Sequence, residues 1–157
     1  MKQEQPTDLN NPELYINREL SLLEFNWRVL QQALDANVPL LERLNYLCIS
    51  STNLDEFFEV RVAGLIQQIE IGDPYIEADQ VTAQECLKLI SQRAHELVEE
   101  QYRVLNEVLL PEMEQQDIRI LPRSQWNDEH TQWLQNYFQE EILPILSPMG
   151  LDSAHPF

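Results

Sequence analysis

Ser51-Thr-Asn-Leu-Asp-Glu-Phe-Phe58 decides how the chain divides into helices. A polar tripeptide there closes one apolar segment, and a second opens at once. Asn53 stands where a helix would start, and Glu56 comes at the spacing of a capping partner. Leu54, Phe57, Phe58, Val62, Leu65, Ile66 and Ile69 then recur at helical spacing. On this reading Asp55 and Glu56 fall in a first turn, where the helix dipole favours acidic side chains. Residue type alone makes Asn53 a cap before it makes it a ligand contact.

Upstream, residues 1–14 read as a flexible lead-in, polar and carrying Pro6 and Pro12, and not as a signal peptide. Ser21-Leu-Leu-Glu24 has the form of a capping box. Leu22, Phe25, Val29, Leu30, Ala33 and Leu34 mark one face of a helix reaching about Ala36. Asn37-Val-Pro39 breaks it. Pro39 suits the first turn of a second helix, which the pattern stops at Ser50-Ser51. The third helix runs to about Ile71, with Gly72 as its C′ residue.

Downstream, Asp73 to Gln80 reads as a loop and Thr82-Ala-Gln-Glu85 as a capping box. A long stripe continues through Cys86, Ile90, Ala94, Leu97, Val104 and Val108, which Pro111 should kink or end, although Glu112-Met-Glu could carry it on for a turn. Asp117-Ile-Arg-Ile-Leu-Pro122 alternates and is β-branched, the mark of a short strand. Asn127 or Asp128 caps a last helix with Trp133, Leu134, Tyr137, Phe138 and Ile142 on one side. Pro144, Pro148 and Gly150 break the chain after that helix. The expected class is mainly α: a helical domain over 15–115, then residues 117–157 as the opening of an α/β domain that continues beyond them.

The totals exclude several functions. The chain has 157 residues, is 43% apolar and carries a net charge of -17. That charge repels polyanions, so nucleic acid is not an expected partner of this segment. Gly64, Gly72 and Gly150 cannot write a phosphate loop or a dinucleotide fingerprint. Cys48 and Cys86 stand apart without ligand neighbours, and Cys48 in Tyr46-Leu-Cys-Ile49 reads as a buried free thiol. No apolar run has the length of a membrane span. Cytoplasmic location is the resulting expectation, with peripheral membrane association left open.

Chemistry-bearing groups are sparse. His95-Glu-Leu-Val-Glu99 lacks the second histidine of a zinc helix and reads as a solvated face. His130 and His155 have no nucleophile arranged beside them. No catalytic residue and no metal ligand is expected. Asn17, Arg18, Glu19, Asn26, Arg28, Asn53, Asp55, Glu56 and Arg61 crowd the first strong helices. Arg61 shares a stripe with Leu54, Phe58 and Leu65, so it should be buried and need a carboxylate. Glu24, Asp55 or Glu56 could supply one. Glu24, Arg28, Asp55, Glu56 and Arg61 are therefore expected to form a structural ion-pair network between the first and third helices.

Tyr15-Ile-Asn-Arg-Glu-Leu-Ser21, Phe25-Asn26 with Arg28-Val-Leu30, Pro39-Leu with Glu42-Arg43, and Ser51-Thr-Asn-Leu-Asp-Glu-Phe57 with Val60-Arg61 occur in order. Together they resemble the N-terminal domain of the type-1 polyphosphate kinases, over about residues 15–115. The stretch from Ile118 resembles the start of that family's head domain. Leu22 stands where the family usually has Trp. The resemblance implies reversible transfer of the terminal phosphate of ATP to polyphosphate, through a phosphohistidine and with Mg2+, by a longer protein. It implies that this part borders the adenine of ATP, that Asn53 contacts the nucleotide, and that the fragment alone binds no cofactor and is inactive. Its implied partners are ATP, polyphosphate, its own C-terminal domains and further copies in a homo-oligomer. The competing expectation is an acidic helical interaction module that assembles with partners and has no ligand of its own.

Overall fold

Residues 8–148, other than 74, 75 and 77, are described by the structure, a computed structural model. They fall into two compact units, residues 1–118 and 119–157. The readings of Gly150, His155 and Phe157 lie outside the described residues, as does part of the loop after Asp73 and the first half of the lead-in.

Helix α1 (Arg18–Gln32) starts one turn before Ser21. Asn17 caps it, its Oδ1 accepting from Glu19 N at 3.1 Å and Leu20 N at 3.0 Å. With those N–H groups already bonded, Ser21 and Glu24 lie inside the helix and do not cap it. The helix stops at Gln32, short of Ala36, and in the turn after it Asp35 Oδ1 takes the Asn37 N–H at 2.9 Å. Before α1, a 3-10 turn at Pro12–Leu14 is capped by Asn11.

Helix α2 (Leu40–Glu56) has Pro39 at its N-cap, not in its first turn. It does not stop at Ser50-Ser51, and Asn53 caps nothing. Backbone stays helical from α2 through a π-helical stretch (Phe57–Val62) into α3 (Ala63–Glu70). The polar tripeptide is absorbed because its groups find partners within the rod: Thr52 Oγ1 donates to Cys48 O at 3.1 Å. Gly72, at φ +67°, ends the rod in a Schellman motif, with Asp73 N on Gln68 O at 3.1 Å and Gly72 N on Ile69 O at 3.1 Å.

Helix α4 (Ala83–Arg103) opens on the expected capping box. Thr82 Oγ1 accepts from Glu85 N at 3.3 Å, and Glu85 Oε2 accepts from Thr82 N at 3.1 Å. Pro111 does not end this rod. A second π-helical stretch (Val104–Leu109) precedes α5 (Leu110–Gln115), and the Leu110 N–H bonds back to Leu105 O. Widening the turn there spares the rod the proline clash that an unbroken α-helix would suffer. Asp117, at φ +58°, then closes α5 as Gly72 closes α3, with Ile118 N on Met113 O at 3.0 Å and Asp117 N on Glu114 O at 3.1 Å.

Helix α1 packs on α2 and α4, and α3 packs on α4. Leu23 and Leu30 of α1, Leu47 and Leu54 of α2, and Ile90 and Leu97 of α4 are buried together with Phe57, Val62, Val104 and Leu109. Each such side chain contributes roughly 1.5–3 kcal/mol of burial energy. Cys48 is exposed on α2, contrary to the expected buried thiol, because Leu47 and Ser50 take the inward positions. Cys86 is the buried cysteine.

The second unit contains α6 (Asp128–Tyr137), capped by Asn127 through His130 N at 2.8 Å. A π-helical stretch (Phe138–Ile142) and a 3-10 turn (Leu143–Ile145) come next. Trp133 stacks on Tyr137 with centroids 5.2 Å apart, and is itself largely exposed. No strand forms among the described residues, so the mainly α class stands and the strand expected at Asp117–Pro122 does not. Asp117 is spent on the helix stop, and the exposed segment after it has no second strand to pair with among the described residues.

Candidate functional site

The π-helical stretches in the α2–α3 and α4–α5 rods reset the inward face. In an α-helix the residue sharing the face of Phe57 would be Arg61. Across the wide turn it is Val62, and both Phe57 and Val62 are 7% exposed. Arg61 is therefore turned out, and the expectation that it is buried is corrected. Val104 and Leu109 repeat the same step on the other rod, both at 0%.

The turned-out face meets a cavity of about 310 Å3 between α1 and the α2 rod. Leu22, Leu23, Phe25 and Asn26 line it from α1. Asn53, Glu56, Phe57, Val60 and Arg61 line it from the rod. Its volume is at the lower end of the roughly 300–1,000 Å3 typical of small-molecule sites. Lining of this kind, aromatic and aliphatic with a few polar groups, is what such sites use for orientation.

Asn53 is held by a polar ladder that crosses the core. Gln101 Nε2 donates to Ser50 Oγ at 2.9 Å, and Asn26 Nδ2 donates to Ser50 O at 2.8 Å. Asn26 Oδ1 then accepts from Asn53 Nδ2 at 3.4 Å. Asn26, Ser50 and Gln101 are buried, and Asn53 is half-buried at the cavity wall. The ladder fixes which end of the Asn53 carboxamide faces Asn26. It leaves Oδ1 without a hydrogen-bond partner among the described residues and one Nδ2 hydrogen uncommitted.

The expected ion-pair network does not form. Glu24 pairs with Arg93 of α4 (Nε–Oε1 2.5 Å, Nη2–Oε2 2.9 Å), so it ties α1 to α4 and not to the third helix. The Arg93 guanidinium also lies 4.3 Å from the Trp27 ring centroid and 2.7 Å from Glu96 Oε2. Its hydrogen bonds hold the Glu24 carboxyl below the usual 4.5, and the charges of Arg93 and Arg28 act the same way. Arg28 sits 5.7 Å from the Phe25 ring centroid. Asp55, Glu56 and Arg61 make no ion pair among the described residues. The ion pair whose arginine is buried is one the sequence did not suggest: Arg43 with Glu112.

Of the sequence-derived site residues, the fold brings Asn53, Glu56 and Arg61 to the cavity and leaves Glu24, Arg28 and Asp55 off its wall. Among the other wall residues, the sequence reading places Phe25 only on a helix face and Asn26 only in the polar crowd, and makes neither a site residue. Their signal was present: an adjacent aromatic and carboxamide within a polar crowd on an otherwise amphipathic helix. His95 is exposed, its Nδ1 2.6 Å from Ser91 O, as a solvated face requires. Among the described residues no three His, Cys, Asp or Glu side chains converge to hold a metal ion. No helix among them is long and apolar enough to cross a membrane.

Comparison with known proteins agrees on one family. The family model described as the polyphosphate kinase N-terminal domain matches residues 15–121. A polyphosphate kinase of Pseudomonas putida is 52% identical over 149 residues, 95% of this chain and 20% of that protein. One of Pseudomonas aeruginosa is 50% identical over 149 residues, 95% of this chain and 22% of that protein. The crystal structure of polyphosphate kinase from Porphyromonas gingivalis aligns with a TM-score of 0.66 at 33% identity, over 85% of this chain and 19% of that one. The chain thus spans about a fifth of the length of the relatives it matches. With the family model covering most of its residues, the chain belongs to the polyphosphate kinase N-terminal domain family.

Proposed function

We propose that this helical domain borders the adenine of ATP in a polyphosphate kinase that moves the terminal phosphate of ATP reversibly onto polyphosphate through a phosphohistidine. In this reading the domain performs no transfer itself. A net charge of -17 over the chain does not favour a polyphosphate chain as its ligand. Magnesium and the reacting histidine then belong to the domain's partners, its own C-terminal domains, in a homo-oligomeric enzyme.

The observation that supports the reading is the open carboxamide of Asn53 on the wall of a 310 Å3 cavity, with Phe25 and Phe57 beside it. An asparagine with one acceptor and one donor free matches the amino group and ring nitrogen along one edge of adenine. Neighbouring aromatic rings cover apolar base surface and keep water from competing. The carboxamide arrives oriented, because Asn26 already holds its nitrogen.

The test is Asn53→Ala in the full-length enzyme. The KM for ATP should rise about tenfold, the scale of a lost two-point base contact, with little change in melting temperature. An unchanged KM accompanied by a lower melting temperature would overturn the reading.

A further inference from the structure

The cavity carries a charge order that adenine recognition does not use. In a chain of net charge -17, the charged side chains on its wall are one carboxylate, Glu56, and one guanidinium, Arg61. Both are exposed, and neither closes on an opposite charge among the described residues. Other arginines of the same unit do close on carboxylates: Arg43 on Glu112, Arg93 on Glu24 and Arg103 on Glu100. Arg61 does not close even on Glu56 of its own rod. An arginine left open beside a cavity in so acidic a chain is a local attraction for an anion, since screening limits the distant carboxylates to about 8–10 Å.

Resting on the adenine reading above, we infer that Glu56 and Arg61 determine nucleotide specificity, Glu56 accepting from the ribose hydroxyls and Arg61 donating to the phosphate next to the ribose. The order along the rod carries the assignment. Asn53, Glu56 and Arg61 run as carboxamide, carboxylate and guanidinium, and a nucleotide runs as base, sugar and phosphate. At roughly 1.5 Å of rise per residue, Asn53 and Arg61 stand about 12 Å apart along the axis. A carboxylate holding ribose hydroxyls is the device of the dinucleotide-binding folds. A guanidinium meets a phosphate with two parallel N–H groups, which a lysine cannot reproduce. The π-helical turn is what makes this possible, for an α-helical turn would have put Arg61 where Val62 is buried.

The full-length enzyme tests it, with ATP and 2′-deoxy-ATP as substrates and Asn53→Ala as the control for the adenine reading. Arg61→Met should raise the KM for both nucleotides about tenfold or more, the scale of a lost charge-assisted bond, and Arg61→Lys should recover part of it. Glu56→Gln should raise the KM for ATP several-fold and that for 2′-deoxy-ATP, which keeps only the 3′-hydroxyl, by less, so that discrimination between them shrinks. Melting temperature should be unmoved by either change. If Asn53→Ala raises the KM while Arg61→Met and Glu56→Gln do not, this inference fails and the adenine reading survives. If Asn53→Ala is also without effect, both fail. A lower melting temperature with unchanged KM in Arg61→Met would assign the guanidinium to a protein carboxylate and overturn the inference.

Discussion

Arg43 of α2 grips Glu112 of α5 at two points, Nη1 to Oε2 at 2.5 Å and Nη2 to Oε1 at 3.1 Å, while its Nε donates to Ala33 O at 2.8 Å. One buried side chain thereby joins the end of α1, the start of α2 and the last turn of the α4–α5 rod. The Arg43 side chain is 6% exposed and that of Glu112 is 40%. Glu112→Gln should destabilise the fold by about 2 kcal/mol. That is below the roughly 3–5 kcal/mol of a fully buried broken pair, because water reaches Glu112. Arg43→Ala should cost more, since Ala33 O also loses its donor. Urea unfolding of the two variants checks the order. Equal and negligible losses would mean that the pair is solvated.

Acid should weaken the fold through carboxyls whose partners prefer them charged. Hydrogen bonds from Arg93 lower Glu24, the Thr82 hydroxyl and N–H lower Glu85, and Arg103 lowers Glu100. A carboxyl that titrates lower when folded lends stability above its unfolded value, 4.5 for Glu24, and loses it as the pH falls through the folded value. Relief of repulsion among the many acidic residues acts in the opposite direction, so the clean readout is a difference. The melting temperature of the parent should exceed that of Glu24→Gln at about pH 7. The gap should shrink as the pH falls below 4.5 through the lower folded value of Glu24, and narrow at high salt, because the Glu24 side chain is 49% exposed. A gap that widens in acid would contradict the pairing.

How far the sequence discloses this fold depends on whether a signal is local. Thr82 with Glu85, Gly72 after α3 and Asn127 before α6 were legible, because a cap or a left-handed stop is decided within one turn. The Ser51–Asn53 break was illegible for the same reason that made it persuasive: three residues that favour caps sit together. Only the packing of Leu47, Leu54 and Phe57 into one core keeps the helix running through them. The sequence left the course past Pro111 open and misplaced Arg61 for the same reason. Periodicity analysis assumes one residue spacing per turn, and a π-helical turn changes the spacing without changing composition. Asn53 came forward as a site residue through resemblance to a family, and its polar ladder depends on Gln101, far along the chain, which no local pattern connects to it.

The wide turn between Phe57 and Val62 can be removed without disturbing the faces it separates. Glu59 is exposed within it and makes no ion pair among the described residues. Deleting Glu59 brings Phe57 and Val62 to the i, i+4 spacing of an α-helix, so both remain on the buried face and the register of α3 against α4 is kept. The residues carried by the bulge are the ones that change: Val60 and Arg61 move relative to Asn53, and the cavity wall they form is lost. In this chain the deletion should leave the helical circular dichroism intact and shift the melting temperature by no more than a few degrees, as a surface change does. In the full-length enzyme the same deletion should raise the KM for ATP at least as much as Asn53→Ala. Retained affinity after the deletion would mean that the π-helical turn serves the fold and not the nucleotide. A collapse of melting temperature would mean instead that the turn itself sets the register of the bundle.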